Sequence, residues 1–228
     1  MNLLKSLALR LPLPWQLELK RLLYRRQIGN GRFLSAEPEF ARLSEWVGAG
    51  DWVIDIGAHV GHYTRRLSEL VGPEGRVIAV EPVPDTFALL AANVALFRDQ
   101  NVTLLNLAAS ARTELVGMRI PDRADGNHNY YEAAITRDQS PLRVLAAAID
   151  PLAFETRIRL IKIDAEGHDP VVLEGMRGLL ARDHPVLIVE TGTPAVVSML
   201  EALGYRGERL PGSVNTIFRW SGGADVGA

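Results

Sequence analysis

The 228-residue chain contains no cysteine. That excludes a disulfide framework, a thiolate zinc site, an iron–sulfur cluster and a cysteine nucleophile. It also lacks any run of about 18 apolar residues, so no segment reads as a membrane-spanning helix. Lysine is scarce, three against 22 arginines, which we read as coding bias rather than function. Neither charge sign dominates: a net charge of -2 argues against a nucleic-acid binder, which is usually strongly basic. What the chain does have is 47% apolar and 23% charged residues, enough to bury the core of one domain with at most an appendage.

The first 33 residues differ from the rest. Lys5, Arg10, Lys20, Arg21, Arg25, Arg26 and Arg32 stand against Glu18 alone, with leucines between them. Lys5 and Arg10 interrupt the apolar run and no small-residue cleavage site follows, so this is not read as a signal peptide, and the expected location is the cytoplasm. Trp15 to Tyr24 has the pattern of a short amphipathic helix. It is expected to pack on the domain as a helical arm over residues 1–34. A peripheral membrane contact, a lipid-linked substrate or a lid over a polar substrate stay open for it.

From residue 45 short apolar runs alternate with helical stretches. Strands are expected at Trp52–Ile56, Arg76–Val80, Val102–Leu107, Ile158–Ile163 and Val186–Val189. Helices are expected at Gly61–Val71, at Thr86–Phe97 capped by Asp85, and at about Asp169–Leu180. Such alternation implies an α/β fold: an open, mostly parallel sheet with helices on both faces. Glu114–Ile120 reads as an extra strand. Pro121–Ser140 is a long polar loop carrying Gly126, Asn127, His128, Asn129, Tyr130 and Tyr131, groups able to hydrogen-bond or stack on a sugar. The domain is expected to span 35–220, with a Gly-rich tail over 221–228.

The stretch Asp55-Ile-Gly-Ala-His-Val-Gly61 ends the first strand and opens a helix. Gly57 permits a sharp turn, and Gly57 and Gly61 let a ligand approach the main chain. Glu81, at the end of the next strand, can accept both hydroxyls of a ribose. The spacing is not the G-x-G-x-x-G of dinucleotide sites. Asp55 would repel a pyrophosphate but suits an ammonium group, such as the methionine end of S-adenosylmethionine.

Asp55-Ile-Gly-Ala-His-Val-Gly-His-Tyr-Thr, Val80-Glu-Pro, Ile161-Lys-Ile-Asp-Ala-Glu-Gly-His168, Leu173-Glu-Gly175 and Pro185–Glu190 together resemble the FkbM-type methyltransferases. The resemblance covers roughly residues 35–220. It implies the class I, Rossmann-like methyltransferase fold, S-adenosylmethionine as cofactor, and O-methylation of a hydroxyl on a sugar or natural product. It places the cofactor on Asp55, Gly57, Ala58, His59, Gly61 and Glu81, with the adenine side near Ala108, Ala109 and Ser110.

A second constellation follows the fourth and fifth strands. Asp164 and Glu190 should meet at the same sheet rim, because ligands bind outside the carboxyl ends of parallel strands. Such a pair admits Mg²⁺, by analogy with catechol-type O-methyltransferases. His168 is the expected general base, with Asp164 and Glu166 as catalytic partners. Glu166 binds the acceptor or shapes the loop, Gly167 permits a left-handed turn, and Lys162 is expected in a structural ion pair with Asp164. His59 and His62 are expected to be non-catalytic, and His184 has no role. The expected partner is a small saccharide or polyol acceptor, with no nucleic acid; oligomeric state is left open. Two alternatives remain at this stage: a nicotinamide-dependent oxidoreductase and a non-catalytic cofactor-binding module.

Overall fold

The computed structural model describes residues 11–121, 133–136, 140–190 and 193–222. Lys5, Arg10, the polar-loop residues Gly126 to Tyr131, Thr191 and residues 223–228 lie outside the described residues. Helix α1 (Leu13–Gly29) and the short α2 (Pro38–Arg42) lead into strand β1 (Trp52–Ile56), α3 (His62–Val71), β2 (Arg76–Val80), α4 (Pro84–Val94) and β3 (Val102–Leu105). Then come β4 (Ala108–Ala109), β5 (Glu114–Arg119), β6 (Ala134–Thr136), β7 (Arg143–Ala147) and β8 (Ile158–Ile163). The chain closes with α5 (Asp169–Glu174), α6 (Arg177–Asp183), β9 (Val186–Glu190), α7 (Pro194–Ala202), β10 (Tyr205–Glu208) and β11 (Asn215–Trp220).

The main sheet has seven strands in the order β10-β11-β9-β8-β1-β2-β3. β3, β2, β1, β8 and β9 are parallel, and β11 runs antiparallel to both its neighbours. Val- and Ile-rich strands suit this layout because both faces are covered. On one face Val53, Val77 and Leu160 pack against Tyr63, Leu67 and Val71 of α3. On the other, Ile54, Ile161 and Ile163 pack against Val172 and Leu173 of α5, Leu179 and Leu180 of α6, and Val196 and Leu200 of α7. The strand order reverses between β1 and β8, so the crevice at their carboxyl ends is where such a sheet binds its ligand.

Several boundaries differ from the sequence reading. Asp85 does not cap α4: Val83 is the N-cap and Pro84 opens the helix, its fixed φ fitting the first turn, while Asp85 sits inside that turn. α4 stops at Val94 rather than Phe97. The stretch Asp169–Leu180 is two helices, α5 and α6, because the chain breaks at Gly175-Met176, where both Ile149 and Asp150 donate their N–H groups to the Gly175 carbonyl. Asp150 in turn caps α6, accepting from the N–H groups of Gly178 and Leu179 at 2.8 Å. β3 ends at Leu105, and the chain then departs into a second, four-stranded sheet of order β4-β7-β5-β6. The extra strand Glu114–Arg119 is part of it.

α1 runs to 17 residues, longer than Trp15–Tyr24. Leu17, Tyr24 and Ile28 pack on Phe33, Val60 and Leu89, which fastens the arm to the domain. Among the described residues no helix is long and apolar enough to cross a membrane.

Candidate active site

At the carboxyl ends of β1, β2, β8 and β9 lies a cavity of about 250 Å³. Gly57, His59, Glu81 and the pair Ala108–Ala109 line one part; Asp164, Ala165, Glu166, His168 and Glu190 line another. Met118 and Ile135 of the small sheet add an apolar wall, and Glu37, just before α2, also faces in. The sequence signalled none of these last three. The strand carrying Met118 was read, but not that it walls the cavity, and the three-residue strand of Ile135 and a lone glutamate before a proline carry no pattern of their own.

Gly57 has φ +72°, and a Cβ there would lie 1.9 Å from the carbonyl oxygen of Asp164. The demand for glycine thus comes from β8 crossing close to the turn, besides any ligand. Gly61 has φ +97° and starts α3. It does not line the cavity; a Cβ there would press on Leu90 of α4 at 2.8 Å.

Glu81 is buried yet faces the cavity. Its two carboxylate oxygens accept from the backbone N–H groups of His59, at 3.0 Å, and Val83, at 2.9 Å. Each oxygen keeps a second lone pair for a ribose hydroxyl. Burial pushes this carboxyl up to about 7, against the pull of the two amides. His59 adopts a left-handed φ of +50°, which turns its N–H toward Glu81. Burial, then His62 and Lys20, hold its imidazole neutral, with a pKa of about 3. His62 stacks on Phe33 at 4.1 Å and serves packing.

Asp55 stands elsewhere than the sequence suggested. Its side chain is fully buried beneath the cavity rather than lining it. Thr64 donates to its Oδ2 at 2.6 Å, and Oδ1 has no hydrogen-bond partner. Burial raises its pKa, opposed by Lys162, its register neighbour on β8. Ala58 is likewise buried outside the lining. Ser110 does not line the cavity either, but its hydroxyl lies 3.2 Å from His168 Nε2.

On the acidic side, Lys162 Nζ donates to Asp164 Oδ2 at 2.8 Å, the ion pair expected from strand alternation. Burial alone would lower the Lys162 pKa, but Asp164 and then Asp55 outweigh it, so the ammonium is held. Burial likewise works to raise Asp164, and Lys162 overrides it and holds the carboxylate ionised. Glu190 shares a hydrogen bond with Asp164 that, together with burial, drives its own pKa up; Glu190 carries the proton of the pair. Glu166 joins them in a loop strained at φ +50°, followed by Gly167 at +86°. His168 occupies the N-cap position of α5, half-buried, and burial lowers its pKa against the opposing pull of Glu114. His184 ends α6 and stacks on Trp220, far from this rim in the fold.

Asp164, Glu166 and Glu190 can bring one oxygen each within 4.8 Å of one another, which matches Mg²⁺ in donor type. One Asp164 oxygen is already committed to the buried Lys162 ammonium, however, so a divalent ion would have to compete with that cation for it. The arrangement fits a resident metal poorly.

Comparison with known proteins follows the same lines. Residues 55–207, about two thirds of the chain, match the family described as Methyltransferase FkbM domain. A protein-L-isoaspartate O-methyltransferase of Methanothrix thermoacetophila is 30% identical over 80 residues, 34% of this chain and 38% of that protein. The FkbM methyltransferase of Methylobacillus flagellatus superposes with a TM-score of 0.54 at 16% identity, over 75% of this chain and 43% of the other. Aeropyrum pernix fibrillarin, solved with natively bound S-adenosyl-L-methionine, gives 0.50 at 14% identity, over 76% and 68%. The chain therefore spans less than half the length of the first two proteins it matches. The fold is that of class I methyltransferases, and the chain belongs to the FkbM methyltransferase family.

Proposed function

We propose that this S-adenosylmethionine-dependent methyltransferase domain delivers its methyl group to a hydroxyl oxygen of a saccharide or related polyol. One observation carries the reading: Glu81 and Ala108–Ala109 share a single cavity with Asp164, Glu166, His168 and Glu190. The first set suits a nucleoside and the second suits an acceptor with several hydroxyls.

Transfer requires the acceptor oxygen in line with the sulfonium methyl at about 3–3.5 Å. The new O–C bond forms as the C–S bond breaks, its electron pair neutralises the sulfonium, and the hydroxyl proton must leave. His168 is the base that takes it. Its imidazole is neutral because it is half-buried and stands at a helix N-terminus, whose dipole disfavours the cation. Asp164 and Glu166 accept hydrogen bonds from neighbouring hydroxyls, and Lys162 keeps Asp164 ionised for that task. We assign Mg²⁺ no step, and full turnover in excess chelator is the expected result.

The isoaspartate methyltransferase relatives raise a second reading, a carboxylate acceptor. Asp164 and Glu166 line the acceptor space, and their carboxylate oxygens accept from a neutral hydroxyl more readily than they tolerate a second carboxylate, which favours the hydroxyl. Labelled methyl transferred from the cofactor to cell glycans and lipids decides between them. A methyl ether survives mild base, whereas a methyl ester is hydrolysed; label released as methanol would overturn the hydroxyl assignment. His168→Ala should lower turnover about tenfold or more while S-adenosylhomocysteine still binds. An unchanged rate would remove His168 as the base.

A further inference from the structure

Helix α1 is apolar on two sides. Its inner side, Leu17, Tyr24 and Ile28, is spent on the domain. Its outer side leaves Trp15 65%, Leu19 43%, Leu22 63% and Leu23 52% exposed. These four fall at helical spacing on one stripe; Arg26, also exposed, continues it toward the C-terminal end, and the exposed Arg25 flanks it. Large apolar side chains left in water along one stripe need a reason, and scattered surface leucines are not a parallel case.

Charge indicates what covers the stripe. Of 25 Lys and Arg and 27 Asp and Glu in the chain, seven cations and one acid fall in residues 1–33. The remainder is left with 18 cations against 26 acids. The arm is thus strongly basic on an acidic domain. A helix that combines an exposed Trp/Leu stripe with flanking arginines meets both requirements of an anionic bilayer surface: apolar side chains for the boundary beneath the headgroups, and cations for the phosphates. Trp in particular favours that boundary, with an apolar body and an N–H donor. A protein partner matching only the leucines would not account for the charge segregation.

We propose that the outer face of α1 docks the chain on an anionic lipid bilayer, with Trp15, Leu19, Leu22 and Leu23 in the interface and Arg25 and Arg26 on lipid phosphates. The helix lies in the membrane plane. Leu17, Tyr24 and Ile28 of α1 pack with Val60, the neighbour of the cavity-lining His59, so α1 runs beside the cavity. Docking brings that cavity toward the lipid surface and toward acceptors carried there. The docking itself does not depend on which acceptor is methylated.

The test is sedimentation of the full chain with vesicles of phosphatidylcholine alone or mixed with phosphatidylglycerol. Binding is expected to the mixed vesicles, at least about tenfold weaker to the neutral ones, and to weaken as salt rises. Leu19→Ser with Leu22→Ser should cost about tenfold or more in partitioning and leave S-adenosylhomocysteine binding unchanged, which also shows that the variant is folded. Arg25→Gln with Arg26→Gln should weaken binding to the mixed vesicles alone. On the unaltered chain, mixed vesicles should shift tryptophan emission to the blue, and Trp15→Phe should remove the shift. No binding to either vesicle, equal binding to both, or unchanged binding by the leucine variant overturns the proposal. So does a dimer in light scattering that the leucine variant dissociates, because the face would then belong to a second copy.

Discussion

Glu81 holds the turn after β1 in place by accepting two backbone amides, and it presents its remaining lone pairs to the cavity. With Glu81 as the proposed ribose acceptor, burial that pushes its carboxyl up to about 7 should make cofactor binding depend on pH near neutrality. The ionised carboxylate is the better acceptor for ribose hydroxyls, so S-adenosylhomocysteine affinity should rise about tenfold from pH 6 to pH 8. Calorimetric titration across that range checks it, and Glu81→Gln should flatten the profile. For the unliganded chain the sign is opposite. The folded state keeps a proton the unfolded state has lost, so this group's contribution to stability falls as pH rises between about 4.5 and 7. Lys162 has a different task. It sits buried between Asp55 and Asp164, and removing its charge strands both carboxylates. Lys162→Met should destabilise the chain by about 3–5 kcal/mol in denaturant titrations, and adding Asp164→Asn should restore part of the loss.

At the scale of elements, the rim depends on how closely β8 passes the β1 turn. Asp164 donates its N–H to Ile56 at 3.1 Å, and its carbonyl occupies the space a Cβ on residue 57 would need. Gly57→Ala should therefore separate the two walls and abolish S-adenosylhomocysteine binding even where the chain still folds; far-ultraviolet circular dichroism beside calorimetry tells these apart. The same crowding explains what the sequence could and could not convey. β1, β2 and β8 were legible because parallel strands buried on both faces read as mostly apolar runs, broken only by Asp55 in β1, the opening Arg76 of β2, and Arg159 and Lys162 in β8, and ending at Gly57, Glu81 and Asp164. The Lys162–Asp164 pair was legible from two-residue alternation. Asp55 was misplaced because alternation gives its face of the sheet only relative to its neighbours, and that face turned out to be the one under α3. In the small sheet only β5 was read; β4, β6 and β7, like β10 and β11, are half-exposed or very short, with patterns too weak to read alone. The break between α5 and α6 was hidden because Gly175 sits among distant groups, its carbonyl accepting from Ile149 and Asp150 and the Ser110 carbonyl, 65 positions away, filling the space of a Cβ, and no local pattern records such contacts.

Over the whole molecule, a basic arm is packed on an acidic domain whose sheet rim holds one cavity walled by both sheets. The proposed function puts the nucleoside on Glu81 and Ala108–Ala109 and the acceptor on Asp164, Glu166 and His168. The measurement that tests this most directly is a crystal structure of the chain with S-adenosylhomocysteine. The account predicts ribose hydroxyls within hydrogen-bond distance of the Glu81 carboxylate and the sulfur turned toward the Asp164–His168 side. A nucleoside bound with Glu81 out of reach, or lying along the Asp164–Glu190 wall instead, would contradict it.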